Sequence, residues 1–305
     1  VPSNATRNNN NKGEQMPKKK SLVNEVFLGD ALDLLSQVED NSVDAVIADP
    51  PYNIGKDFGN NHDNLELGEY LVWCDKWIAE CFRVLKPQGT MFIYGFSEIL
   101  AHVSVRIEHP QRWLIWHYTN KNVASATFWQ RSHEAILATW KFKPLFNRDA
   151  VREPYTDGFL KGAAGKVRAG TAGRFSKGGE PTVYQAHEKG ALPRDVLRVP
   201  ALAGGAGMKE RWFLCNDCDA VFPPTETELH RQHQMLKHPT QKPLELTRRL
   251  LLSCMPETDG IVLIPFAGSG SECLVARTLS HSFLAAELNP QFARLASAVA
   301  DSATT

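Results

Sequence analysis

The 305-residue chain carries 34 Lys and Arg against 34 Asp and Glu, so its formal net charge is zero, and 43% of its residues are apolar. A chain of this length can bury one large α/β core plus a smaller insertion, and it nowhere reaches the roughly 20 uninterrupted apolar residues of a membrane-spanning helix. Overall charge does not mark a nucleic-acid binder; its distribution along the chain is more informative.

Residues 1–21 are polar and unpatterned, with Asn8 to Asn11 and Lys18-Lys19-Lys20, and are expected to be disordered; Met16 is a candidate natural start. The apolar run Val43-Asp44-Ala45-Val46-Ile47-Ala48 reads as a short buried strand. Asp49-Pro50-Pro51-Tyr52 ends it, because the prolines stop the hydrogen-bond ladder and stiffen the turn. A carboxylate, a proline carbonyl and an aromatic ring then stand together at the strand's carboxyl end. That set suits an extruded base bearing an exocyclic amine. Such an amine is a poor nucleophile until it pyramidalises; Asp49 and the Pro50 carbonyl can each accept one N–H and favour that geometry, while Tyr52 stacks on the base. The structural alternative is a proline-terminated strand with a solvated Asp.

A helix is predicted over 69–85, where Trp73, Trp77, Cys81 and Leu85 recur at four-residue steps, so its tryptophans belong to packing. Strands follow at Thr90-Met91-Phe92-Ile93-Tyr94, at Trp113 to Tyr118 and at Ala135 to Trp140. Between Lys141 and Arg211 stand 14 basic and 7 acidic residues, a local excess suited to phosphate contacts. Within it, the glycine-rich stretch from Gly158 to Gly179 lacks helical or alternating periodicity and is expected to be loop that moulds to a DNA backbone. Residues 144–237 are read as a target-recognition insertion.

That insertion holds Cys215, Cys218, His230 and His233, the histidines in a predicted helix over 226–236. Two thiols two apart followed by two imidazoles resemble a zinc-binding arrangement. The spacing departs from the usual one: eleven residues separate Cys218 from His230 and two separate the histidines. A bound zinc would rigidify DNA-recognition loops; without one, this is a small apolar turn beside a solvated histidine helix. Cys74, Cys81, Cys254 and Cys273 lie in apolar surroundings and are expected to be core thiols in a reducing compartment.

The strand Ile261-Val262-Leu263-Ile264 then enters the glycine-rich turn Pro265-Phe266-Ala267-Gly268-Ser269-Gly270, and a helix follows. Glycines let the backbone approach a ligand closely, and the helix offers unpaired N–H groups. The next strand, Ser282 to Ala286, delivers Glu287 at the spacing of a ribose-binding acid in doubly wound folds.

Taken together, Leu28-Gly29-Asp30-Ala31, Asp49-Pro50-Pro51-Tyr52-Asn53, Arg83 to Gly89, Trp116 with Asn120, Ser132 to Leu137, His238-Pro239-Thr240-Gln241-Lys242-Pro243 and Pro265 to Gly270 make the chain resemble the β-class DNA amino-methyltransferases. The resemblance implies an α/β fold: a doubly wound, mostly parallel seven-stranded sheet, with five strands from the catalytic segment 22–143 and two from 238–305, interrupted by the insertion. It implies S-adenosylmethionine as cofactor and direct transfer to a flipped base, adenine N6 ahead of cytosine N4, which stays the alternative, because Asp49 stands where the cytosine enzymes more often carry Ser. Asp49, Pro50, Pro51 and Tyr52 would be catalytic. Asp30, Ala31, Asp49, His238, Thr240, Lys242, Pro243, Phe266, Ala267, Gly268, Ser269, Gly270, Glu272, Glu287 and Asn289 would surround the cofactor, with Asp30 near its adenine and Glu287 on its ribose. Structural alternatives stand beside these: Asp30 can cap a helix starting at Ala31, and Lys242-Pro243 can open the helix 244–254.

The chain departs from the family pattern at Ile264, where an Asp usually meets the methionine ammonium. Glu272 is the candidate substitute; otherwise it only complements a helix dipole. A DNA-binding protein with a degraded cofactor site is the alternative from another class. DNA is the expected partner, a homodimer and a cognate restriction enzyme are further candidates, and the cytoplasm, with the DNA, is the expected location.

Overall fold

In the computed structural model, residues 22–56, 63–120, 124–162, 164–173, 176–203 and 209–304 are described. The tail expected to be disordered, residues 1–21, lies outside them, as do Ala163, Arg174 and Phe175 of the glycine-rich stretch.

The first segment supplies β1 (Val26–Leu28), α1 (Ala31–Leu35), β2 (Val43–Ala48), α2 (Leu67–Val84), β3 (Leu85–Gly95), α3 (Ser97–Ser104), β4 (Gln111–His117) and β5 (His133–Trp140). The middle segment supplies α4 (Asp157–Gly162), β6 (Val167–Gly173), β7 (Ser176–Val183), β8 (Val196–Arg198), β9 (Phe213–Cys215), β10 (Val221–Phe222) and β11 (Met235–Leu236). The last segment carries α5 (Leu244–Cys254), β12 (Ile261–Ile264), α6 (Ser271–Thr278), β13 (Ser282–Glu287) and α7 (Pro290–Asp301).

The main sheet runs β1-β13-β12-β2-β3-β5-β4-β8. The five strands from β1 to β3 in that order are parallel, and β5 is antiparallel to both its neighbours. The seven expected strands are present, and the insertion adds an eighth, β8, parallel to β4. Because β2 lies between β12 and β3 with helices over both faces, its sequence is a continuous apolar run and Ala45 to Ala48 are wholly buried. One face packs on α1, α2 and α3 through Leu34, Trp77 and Leu100; the other packs on α5, α6 and α7 through Leu250, Ala276 and Ala296. The four isolated cysteines are all buried in these cores.

Chain direction decides where a ligand can enter. From β2 the chain crosses through α2 to β3 on one side, whereas from β12 it crosses through α6 to β13 on the other. The carboxyl ends of β2 and β12 therefore border the point where the winding reverses, the usual binding crevice of such sheets.

Two predicted elements differ. The glycine-rich stretch is not an open loop: β6 and β7 form an antiparallel hairpin. Its glycines allow close backbone approach, since a Cβ on Gly170 would stand 1.8 Å from the Gly179 carbonyl oxygen. The helix expected over 226–236 is a 3-10 turn, Pro224–His230, followed by β11. Its only large apolar side chain before Leu236, apart from Met235, is Leu229, which is 77% exposed, so no apolar stripe rewards a longer helix.

Candidate active site

A cavity of about 310 Å³ opens at the carboxyl ends of β2 and β12. Asp49, Pro50, Pro51 and Tyr52 form one part of its wall. The turn after Tyr52 is held by Asp63, whose carboxylate accepts the backbone N–H groups of Asn53 (2.6 Å) and Lys56 (2.5 Å), and by the Asn53 side chain, which bonds Leu65 in both directions. The Tyr70 hydroxyl donates to the Pro51 carbonyl at 2.8 Å. No hydrogen bond to the Pro50 carbonyl occurs among the described residues, which leaves that oxygen for a ligand.

Asp49 is the centre of a buried polar network. Lys242 Nζ donates to Asp49 Oδ2 at 2.7 Å, and the Tyr52 hydroxyl donates to Oδ1 at 2.7 Å. Glu134 on β5 lies 3.6 Å from the same ammonium and accepts the Tyr118 hydroxyl at 2.6 Å. Burial pulls the Lys242 pKa down, but the Asp49 and Glu134 charges outweigh that and hold it above the ordinary lysine value. Burial, then the same two carboxylates, raise the Tyr52 hydroxyl well above its usual range, so it stays a donor. Asp49 is thus fixed between one charged and one neutral donor.

Across the cavity, the loop after β12 presents Phe266, Ala267, Gly268 and Ser269. Gly268 has a left-handed φ of 51°, and a Cβ there would lie 2.9 Å from the His238 ring. Burial, then the neighbouring Lys242 charge, pushes the His238 pKa down to about 3, leaving a neutral imidazole against this loop. Glu287 ends β13 with its oxygens accepting the Gly268 and Asn289 N–H groups at 2.8 and 2.9 Å; burial nevertheless raises its pKa. Asp30 and Ala31 line the same end, and Asp30 also caps α1 by accepting the Leu32 N–H at 2.8 Å. Capping the helix and lining the cavity are thus compatible for Asp30. Glu272, in the first turn of α6, is 4% exposed and accepts the Ser271 hydroxyl at 2.8 Å. Burial, then repulsion from Asp49, pushes its pKa up to about 7.

Of the expected cofactor residues, Thr240 and Lys242 also line the cavity, although the Lys242 ammonium is turned to Asp49. Pro243, Gly270 and Asn289 do not line it. Each is the N-cap of a helix, α5, α6 and α7 respectively, one step behind the wall. Gly270 has a φ of 79°, and α7 passes close by: a Cβ would meet Ala296 Cα at 2.6 Å.

Residues outside the expected set also contribute. Glu134 is an acid on a strand whose next five residues are buried, a signal the sequence carries. Trp73 packs against the core as expected and also lines the cavity beside Phe266, ring centroids 5.6 Å apart. Arg211 lines it from the insertion, with no local pattern to announce it.

The four zinc-type residues come together elsewhere. One ligand atom from each of Cys215, Cys218, His230 and His233 lies within 4.8 Å of the others.

Comparison with known proteins fits this architecture. The DNA methylase family profile matches residues 43–298. The chain is 29% identical over 285 residues to the type II methyltransferase M.HpaI of Haemophilus parainfluenzae, covering 91% of this chain and 74% of that protein. It is 28% identical over 275 residues to the DNA adenine methyltransferase YhdJ of Escherichia coli K12, covering 88% and 80%. In fold it is similar to the cytosine-N4-specific PvuII DNA methyltransferase, with a TM-score of 0.61 and 16% identity over 90% of this chain and 85% of that one.

Proposed function

The chain belongs to the DNA methylase family of N6/N4 amino-methyltransferases, and from that premise we propose that it methylates the N6 amine of adenine in DNA at a specific sequence. The observation that carries the reading is Asp49 held between Lys242 and Tyr52 beside a Pro50 carbonyl that takes no hydrogen bond among the described residues. Two acceptors at a strand end can take the two N–H bonds of an exocyclic amine and stabilise the charge that develops on nitrogen.

The residues around the cavity fit S-adenosylmethionine. Acids at Asp30 and Glu287 suit a nucleoside at one end, the Gly268 turn, packed on His238, borders the cavity, and the buried Glu272 carboxyl gains its charge most readily beside a cation. When bound, the cofactor supplies an electrophilic methyl group. Lys242 holds the Asp49 side chain aimed. Tyr52, freed from Asp49 when a base enters, offers its ring to the base face, with Phe96 edge-on behind it at 5.3 Å. Neutral His238 and Gly268 close the floor.

Adenine is favoured by Asp49 itself and by likeness over most of the chain to an adenine methyltransferase. Exposed Lys161, Lys166, Lys177, Lys189 and Arg198 of the insertion are suited to phosphate contacts, and kinship to type II enzymes favours a restriction-modification partner. The test is incubation with labelled S-adenosylmethionine and unmethylated DNA, followed by nucleoside mass spectrometry, with Asp49→Ala in parallel. N6-methyladenine from the unmutated protein alone is expected. N4-methylcytosine would move the assignment to the other base, and absence of both product and cofactor binding would favour a DNA-binding protein with a degraded site.

A further inference from the structure

We propose that Cys215, Cys218, His230 and His233 bind one zinc ion, and that this ion staples a wall of the cofactor cavity rather than a DNA-recognition loop. The geometry comes first. Cys215 Sγ lies 3.3 Å from His233 Nδ1, and Cys218 Sγ lies 3.3 Å from His230 Nδ1. A tetrahedral zinc with Zn–S of about 2.3 Å and Zn–N of about 2.0 Å has sulfur-to-nitrogen edges of about 3.5 Å. The four atoms are thus near the spacing of a coordination shell. The irregular sequence spacing resolves because the histidines do not share a helix face: the 3-10 turn ends at His230, which meets Cys218, and His233 follows in the bend after it and meets Cys215.

Local structure supports the ligands. The Cys218 N–H points at Cys215 Sγ (3.4 Å), and the turn closes through Asp219, with a φ of 63°, whose N–H donates to the Cys215 carbonyl at 3.0 Å. Phe222 stacks on His230 with centroids 4.0 Å apart and planes 9° apart, fixing that ring. A two-sulfur, two-nitrogen tetrahedral set is the one zinc prefers.

Packing gives the ion a task. Among the described residues, the three-stranded sheet β10-β9-β11 gathers just Phe213, Cys215 and Phe222 into its buried cluster. Units this small are ordinarily held by disulfides or metals. Its outer side docks on α7, where Trp212, Val221 and Leu236 cover Phe292, Leu295 and Val299, and Asp219 pairs with Arg294.

Both ends of this unit lead into the cavity wall. Arg211 precedes β9 and His238 follows β11, and the pairing of Leu214 with Leu236 brings those ends side by side. They are then joined again: Gln241 donates to the Glu210 carbonyl at 2.9 Å, and Glu210 accepts the Leu244 N–H at 3.1 Å. His238 itself packs edge-on against Phe292 of α7 at 4.7 Å. A metal bond across the unit therefore fixes the segment carrying His238 and Lys242, and with it the floor under Gly268. This second half of the inference rests on the methyltransferase reading above.

The test uses the full chain. Elemental analysis of the purified protein should give one zinc per chain, and cobalt exchange should give the visible absorption of a tetrahedral thiolate site. His230→Ala should lose the metal while His230→Cys, still a competent ligand set, keeps it. Chelation should weaken S-adenosylmethionine binding at least tenfold by calorimetry and increase hydrogen exchange in residues 209–212 and 238–243, with zinc restoring both. Zinc neither present nor taken up would overturn the site. Zinc present, with exchange in those segments and cofactor affinity indifferent to chelation, would overturn the stapling. Zinc-loaded protein with protected segments that binds no cofactor would sink the methyltransferase reading and leave the metal site standing.

Discussion

Glu272→Gln is the substitution that most directly probes the cofactor pocket. The Glu272 carboxyl is buried, and its pKa stands at about 7 against an ordinary 4.5 because burial, then the Asp49 charge, disfavours ionisation. Between those values the folded protein keeps a proton that a solvated carboxyl would have released. A cationic amino-acid group binding beside it needs the charged form, so binding expels the proton and affinity rises with pH. With a pKa of about 7, the ionised fraction grows from about one-tenth at pH 6 to about nine-tenths at pH 8, a roughly tenfold gain in affinity, or about 1.4 kcal/mol. The cofactor's own amine, with a pKa of about 7.7–8.0, loses charge over part of this range, but equally for both proteins. The ratio of wild-type to Glu272→Gln affinity, measured by calorimetry from pH 6 to pH 8, therefore isolates Glu272 and should climb about tenfold. The same shift destabilises the ligand-free fold as pH rises from 4.5 and does so fully above about 7, so the Gln variant should melt higher than wild type at pH 8 and equally at pH 4. A pH-independent affinity ratio, or a Gln variant that binds cofactor as tightly as wild type at pH 8, would refute the assignment.

Two further substitutions test the network and the loop. Lys242→Met leaves Asp49, whose side chain is 15% exposed, without its cationic partner, a loss of about 3–5 kcal/mol by denaturant unfolding; adding Asp49→Asn should return part of that stability and none of the activity, and full additivity in this cycle would mean that the pair does not interact. Gly268→Ala forces a side chain into left-handed backbone and against His238, costing about 1–3 kcal/mol, and is expected to lower cofactor affinity while circular dichroism stays native; unchanged affinity would show that the loop does not form the floor.

What the sequence made legible follows from where the physics is local. β2, β12 and β13 are buried on both faces, so their apolar runs declare them, and the acid or proline that ends each run marks the ligand side of the sheet. The hairpin β6–β7 stays hidden because its pairing depends on backbone approach between Gly170 and Gly179, which leaves no alternation of side chains to read. β8 is three residues long with only Leu197 buried, and it exists because β4 offers an edge. Pro243, Gly270 and Asn289 stand in ligand-binding motifs yet cap helices, a distinction that rests on which way a turn faces. Arg211 reaches the cavity only because the Cys/His unit folds back on α7.

Ile264 shows how the pocket accommodates its missing acid. It is the last residue of β12, wholly buried, pairs with Ala285 and belongs to the apolar cluster that also holds Cys273 of α6. A carboxylate at 264 would enter that apolar cluster, whereas Glu272, on the far side of the same loop, has the Ser271 hydroxyl and the first turn of α6 to offset its charge. Two acids around one loop, with Asp49 across the cavity, would repel one another. Ile264→Asp should therefore destabilise the wild-type protein more than it destabilises Glu272→Gln, and only in the latter background should it restore part of the lost cofactor affinity. Equal destabilisation in both backgrounds, with no recovery of binding, would mean that the two positions are not alternative seats for one charge and that Glu272 serves the helix alone.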